Sequence, residues 1–128
     1  MPNRIYVGVI DDDESLSRSL ARLLRQAGYQ AITYSSAEEF LADPLRAHFA
    51  CLLVDVQLGG MTGIEMHGKL AAEGNRTPVV YITAFDNPVA REQAARLGCA
   101  GYFRKTDAGL DILETVRRVT SDPGVAAS

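Results

Sequence analysis

The stretch "CLLVDV", residues 51–56, is too continuously apolar to alternate between core and water. A strand with one wetted face carries polar residues at every second position, whereas a strand buried on both faces reads as an unbroken apolar run. "IYVGVI" (5–10) and "VVYIT" (79–83) have the same character. Three such runs predict a parallel sheet covered by helices on both sides.

The segments around these runs supply the rest of the sheet and its helices. After the first run, Leu16, Leu20, Leu23, Leu24 and Ala27 recur at helical spacing, and Gly28 follows as a stop. "QAITYS" (30–35) reads as a second, more amphipathic strand. "SSAEEFLADPL" then opens a helix with Ser36 three residues before Glu39, a capping-box spacing, and Pro44 should end that helix or kink its last turn. Beyond the third strand, the glycine-rich "QLGGMTG" (57–63) leads into a helix near 64–73, closed by Gly74 and Asn75 before Pro78. Asn87 suits an N-cap with Pro88 at the first helical position, where its missing N–H costs nothing. "GYFRK" (101–105) makes a fifth strand and Leu110 to Thr120 a last helix. We therefore expect one doubly wound α/β domain over residues 1–120, with five helices on a five-stranded parallel sheet of assumed order 2-1-3-4-5. "SDPGVAAS" (121–128) reads as a tail or the start of a linker.

Composition narrows the function. A formal charge of −3 with scattered Lys and Arg offers no basic face for nucleic acid, so protein partners are expected. No apolar run approaches the roughly 18 residues of a membrane span, and "MPNRIYVGVI" lacks the charged start and cleavage site of a signal peptide. The expected compartment is the cytoplasm, with Cys51 and Cys99 as reduced, mostly buried thiols. His48 and His67 are expected on helix surfaces, without a role.

Ligands of an open parallel sheet bind at its carboxyl ends. The first strand ends in Asp11 and Asp12, the third in Asp55, the fourth in Thr83 and the fifth in Lys105. Singly, an Asp in such a place caps a helix, a Thr satisfies a turn and a Lys reaches for water. Together they suit phosphoryl chemistry. Three crowded carboxylates repel, so one of them must hold its proton unusually tightly unless a cation joins them. All-oxygen ligation by few protein groups suits Mg²⁺. A carboxylate beside that ion can attack phosphorus, while Lys105 offsets the transferred charge and Thr83 donates to a phosphoryl oxygen.

At these positions the chain resembles the receiver domains of two-component response regulators, over roughly residues 4 to 120. The resemblance rests on "VIDDDES" with Gly28 after the first helix, on "LLVDVQLGGMTGIE" with Gly63 eight residues after Asp55, on "VVYITA" and on "AGYFRK". It implies a flavodoxin-like receiver fold and a non-enzymatic signalling role, in which Asp55 accepts the phosphoryl group from a phosphohistidine on a sensor histidine kinase. Asp12 and Asp55 would ligate Mg²⁺ directly, Gln57 through its backbone carbonyl and Asp11 mostly through water. Thr83 and Lys105 would contact the phosphoryl oxygens, Tyr102 would be the switch aromatic, and Gln57 and Phe85 would tune phosphate lifetime. The switching face would join the fourth helix, fifth strand and fifth helix, and would engage an output domain, a downstream protein or a second copy after phosphorylation. "SSAEEFL" and "LGCAGYFRK" look closest to regulators that carry a C-terminal helix-turn-helix domain.

The chain also departs from that pattern. Gly59 and Gly60 stand where the family usually has Pro after the acceptor, which predicts a more mobile loop. Thr106 follows Lys105 where the family has a cis proline, so the bond is either cis under strain or trans with Lys105 approaching differently. Two other readings stay open. One is a receiver-like interaction module without phosphorylation. The other is a haloacid-dehalogenase-type phosphohydrolase with Asp11 as nucleophile, its motif imitated by Asp11, Asp13 and Ser15.

Overall fold

A computed structural model describes residues 5–107 and 109–121. The tail expected over 121–128 lies, apart from its first residue, outside the described residues. The chain alternates strand and helix: β1 (Tyr6–Ile10), α1 (Glu14–Gln26), β2 (Gln30–Tyr34), α2 (Ala37–Leu41), a 3₁₀ turn (Pro44–His48), β3 (Phe49–Asp55), α3 (Gly63–Ala72), β4 (Val79–Thr83), α4 (Pro88–Arg96), β5 (Gly101–Arg104) and α5 (Gly109–Thr120). All strand pairs are parallel, in the order β2-β1-β3-β4-β5.

The unbroken apolar runs are explained by two cores, one on each face of the sheet. Ile10, Leu52, Val54 and Tyr81 point toward α2, α3 and α4, where they meet Phe40, Met66, Leu70 and Ala94. Val9, Leu53, Val80 and Ile82 point the other way, onto Leu20 and Leu24 of α1 and Ile112 and Val116 of α5. Neighbouring residues of one strand thus serve opposite cores. Ile112, Leu113 and Val116 are core residues, with Val119 packed against them. On α4 only Ala90 and Ala94 are buried, the thin stripe expected of it.

Local signals hold with instructive exceptions. Asn87 caps α4 through bonds from Val89 N and Ala90 N, with Pro88 in the first turn. Ser36 accepts from Glu39 N, but the Glu39 carboxylate turns to Ser35 Oγ at 2.8 Å, so only half of the expected capping box forms. The complete reciprocal box lies at Thr62 and Glu65, opening α3. Pro44 does not kink α2, which has already ended at Leu41; it starts the separate 3₁₀ turn, capped by Asp43. β3 begins two residues earlier than its apolar run suggests, and Lys105 lies in the turn just after β5 rather than inside it.

Register decides what meets at the carboxyl rim. Ile10 pairs with Val54, Asp55 with Ile82 and Thr83 with Arg104. One step beyond Ile10, Asp11 therefore stands beside Asp55. β1 has β2 on one side and β3 on the other, so the connections leaving β1 and β3 diverge and a crevice opens between them.

Candidate functional site

Asp11, Asp12 and Asp55 each bring a carboxylate oxygen within 4.8 Å of the others. Asp11 and Asp55 are both 4% exposed, while Asp12 is open to solvent. Lys105 Nζ bridges the two buried acids, 3.0 Å from Asp55 Oδ2 and 3.2 Å from Asp11 Oδ1. Backbone N–H groups hold the same pair: Asp13 N donates to Asp11 Oδ1 at 2.9 Å and Gln57 N to Asp55 Oδ1 at 3.0 Å. Asp13 itself caps α1, accepting from Leu16 N, so the third carboxylate of "VIDDDES" has a structural task.

One ammonium does not neutralise two carboxylates. Burial removes water from the Asp11 carboxylate and pushes its pKa up to about 6; the Asp55 charge adds to the rise, while the Asp13 N–H and Lys105 oppose it. Burial alone would lower the Lys105 pKa, but the hydrogen bond and charge of Asp55, joined by those of Asp11, outweigh it and hold Lys105 above the ordinary lysine value. The cluster therefore carries the excess negative charge anticipated for it. Its donors are all oxygens, one of its acids is exposed, and the set fits a hard divalent cation that keeps part of its water shell.

Lys105 reaches this cluster without a cis bond, since no peptide among the described residues is cis. Its aim comes from hydrogen bonds on both sides of the turn. Lys105 N donates to the Thr83 carbonyl at 2.8 Å, and Asp107 closes the turn by accepting from Arg104 N at 2.8 Å. No feature of the motif pointed to Asp107.

Thr83 is fully buried and its hydroxyl donates to the Phe85 carbonyl at 2.9 Å. It sits at the rim but is engaged with its own loop rather than with the acids. Phe85 is 70% exposed and Gln57 is exposed, each two residues beyond the end of its strand. Tyr102 is half-buried against Tyr81 with ring centroids 6.1 Å apart, and the Arg91 guanidinium lies 4.5 Å above its ring. Its hydroxyl is buried without a hydrogen-bond partner among the described residues.

His67 requires a correction. It was expected on the surface of its helix, yet it is 7% exposed and its Nδ1 lies 2.8 Å from the Tyr81 hydroxyl, under α3. The spacing of Met66 and Leu70 could have found it, because position 67 borders the same buried stripe. His48 is exposed. Cys51 and Cys99 are free, and burial pushes the Cys51 thiol up to about 12, so it is inert at neutral pH. Among the described residues, no helix is long and apolar enough to cross a membrane.

Comparison with known proteins agrees with this fold. The family model of the response regulator receiver domain matches residues 7–122. The transcriptional regulatory protein FixJ of Azorhizobium caulinodans is 32% identical over 117 residues, covering 91% of this chain and 56% of that protein. The response regulator protein TmoT of Ectopseudomonas mendocina is 29% identical over 109 residues, covering 85% and 50%. Among solved structures, a response regulator receiver protein from Burkholderia phymatum is 39% identical with a TM-score of 0.78, covering 92% of this chain and 96% of that one. The Vibrio cholerae chemotaxis protein CheY4 is 26% identical with a TM-score of 0.82, covering 91% and 99%. The chain spans about half the length of the curated relatives it matches.

Proposed function

The chain belongs to the response regulator receiver domain family, and from that premise we propose that it accepts a phosphoryl group on Asp55 from a phosphohistidine of a sensor kinase and so switches a protein-binding surface. The observation that carries this reading is the convergence of Asp11, Asp12 and Asp55 within 4.8 Å, with Lys105 bridging the two buried acids.

Asp12 and Asp55 are suited to hold Mg²⁺ directly, with the Gln57 backbone carbonyl as a further ligand and Asp11 acting mostly through water. When bound, that ion supplies positive charge against the phosphoryl oxygens and the carboxylates. An Asp55 carboxylate oxygen attacks phosphorus, the P–N bond to the donor histidine breaks, and its electron pair returns to the imidazole. Lys105, already paired with Asp55, follows the negative charge onto the phosphoryl oxygens. Thr83 gives up the Phe85 carbonyl to donate to one of them. Tyr102 is the aromatic that responds across the β4–β5 edge, and Gln57 and Phe85 flank the path of the hydrolytic water. The acquired charge of about −1.5 to −2 then favours one of two surface arrangements at the α4, β5 and α5 face.

We take residues 1–120 as the receiver and 121–128 as a C-terminal tail or the start of a linker. The role is signalling in the cytoplasm rather than turnover of a substrate. The phosphohydrolase reading finds no support in the contacts, because it leaves Asp55 without a task although Asp55 shares Lys105 with Asp11. The test is incubation with Mg²⁺ and a small acyl phosphate, followed by mass measurement. Asp55→Asn should abolish an acid-stable, base-labile adduct and Asp11→Asn only weaken it. The reverse pattern would establish the enzyme, and an unmodified protein under all conditions would establish the phosphorylation-independent module.

A further inference from the structure

The segment between Asp55 and α3 carries two consecutive glycines, Gly59 and Gly60, where free backbone would leave the Gln57 carbonyl poorly fixed. Its ends are held. Gln57 N donates to Asp55 Oδ1, and Gly63 N donates to the Val56 carbonyl at 3.1 Å. Between those ends, a contact arrives from another element: Glu38 Oε2, in the first turn of α2, accepts from Met61 N at 2.9 Å. Gly60 makes room for it. Its φ is +76°, and a Cβ there would lie 2.7 Å from the same carboxylate oxygen. Thr62, the residue after Met61, caps α3. Met61 is thus the point at which the loop can be pinned without altering the helix behind it.

Glu38 has a firm base, since its neighbours Ala37 and Phe40 are fully buried. The bond from Met61 also draws the Glu38 carboxyl below its ordinary range, so it stays ionised at neutral pH. Glu39 is turned away, to Ser35 Oγ, and serves as a natural control.

We propose that Glu38 is a positioning residue for the cation site: by holding Met61 it fixes the loop that presents the Gln57 carbonyl beside Asp55. This rests on the reading of Gln57 as a cation ligand. Glu38 is exposed and covers no core, so its removal should loosen the loop while leaving the fold intact.

The test uses the whole 128-residue chain and reads two quantities, hydrogen exchange at the Met61 amide and calorimetric Mg²⁺ affinity. Glu38→Ala should speed Met61 exchange and weaken Mg²⁺ binding about tenfold, in the range seen when outer-shell partners are lost, at an unchanged melting temperature. Glu38→Gln, whose amide oxygen can still accept, should retain most of both, and Glu39→Ala should alter neither. Wild-type exchange and affinity in Glu38→Ala would overturn the proposal, as would faster exchange with unchanged affinity. A wild-type chain that takes up no Mg²⁺ would instead sink the reading of the site, and Met61 exchange would then judge the clamp by itself.

Discussion

Lys105 reaches Asp55 across the rim with Nζ 3.0 Å from Oδ2, although the residue after it is Thr106 and the peptide between them is trans. The bond from Lys105 N to the Thr83 carbonyl and the Asp107 side chain that closes the turn do the aiming. Lys105 in turn is the only cation within salt-bridge distance of Asp11 and Asp55 among the described residues.

Replacing that cation should therefore harm both fold and chemistry. Lys105→Ala leaves two buried carboxylates with backbone donors alone, which should lower stability in Mg²⁺-free buffer by about 1–3 kcal/mol after allowance for partial exposure. Phosphoryl uptake from a small donor should slow roughly a hundredfold. Stopped-flow uptake at the wild-type rate would argue that Lys105 has no part in transfer.

Asp11 makes stability depend on pH when no cation is present. Its pKa rises from an ordinary 3.8 to about 6 on folding, so the native state binds the proton more tightly than the unfolded chain. The contribution is fully present below about pH 3.8 and is lost as pH climbs through 6, a swing of roughly 2–3 kcal/mol. Denaturant titrations of wild type against Asp11→Asn should show the variant lacking this loss. Mg²⁺ should stabilise wild type more at pH 7.5 than at 5.5.

His67 acts in the opposite sense. Burial lowers its pKa below 6.5, so its stabilising contribution is whole above that value and is lost as pH falls through the folded pKa. His67→Phe should abolish this acid sensitivity while stranding the Tyr81 hydroxyl, at a cost of about 1–3 kcal/mol. Equal acid sensitivity in the variant and the wild type would assign the slope to another group.

Two glycines should respond very differently to alanine. At Gly63 a Cβ would meet the Asp55 carbonyl oxygen at 2.3 Å, and backbone cannot retreat without moving Asp55 itself. At Gly8 the nearest atom, at 2.8 Å, is the tip of the Leu52 side chain, which can turn aside. Gly63→Ala should cost about 2–3 kcal/mol and impair Mg²⁺ binding, whereas Gly8→Ala should cost about 1 kcal/mol and spare it. Comparable Mg²⁺ affinities in the two variants would contradict this placement.

Much of the fold could be read from "CLLVDV" and its two companion runs, because burial on both faces writes an unbroken apolar pattern that few other arrangements tolerate. Asp11, Asp12, Asp55, Thr83 and Lys105 could be placed because each lies at or just beyond a strand end and register carries them to one rim. Tyr102, by contrast, lies inside β5, and only the family resemblance singled it out. What escaped the sequence depended on direction rather than position. Nothing local tells whether Glu39 turns back to its cap or out to Ser35, or that Thr62 rather than Ser36 forms the full box. His67 escapes the sequence pattern because a histidine reads as polar surface, although its place beside Met66 and Leu70 puts it on the buried stripe. Glu38 acts through a side-chain bond to backbone across 23 residues, a contact that exists only once the chain has folded, whereas the Asp107 bond to Arg104 N is local and belongs to the turn.

The most direct test of the account is the phosphoryl adduct itself. With Mg²⁺ and a small acyl phosphate, mass mapping should place one base-labile phosphoryl group on Asp55, absent from Asp55→Asn and absent when Mg²⁺ is chelated. An adduct that persists in Asp55→Asn, or that forms equally well without the metal, would contradict the central claim.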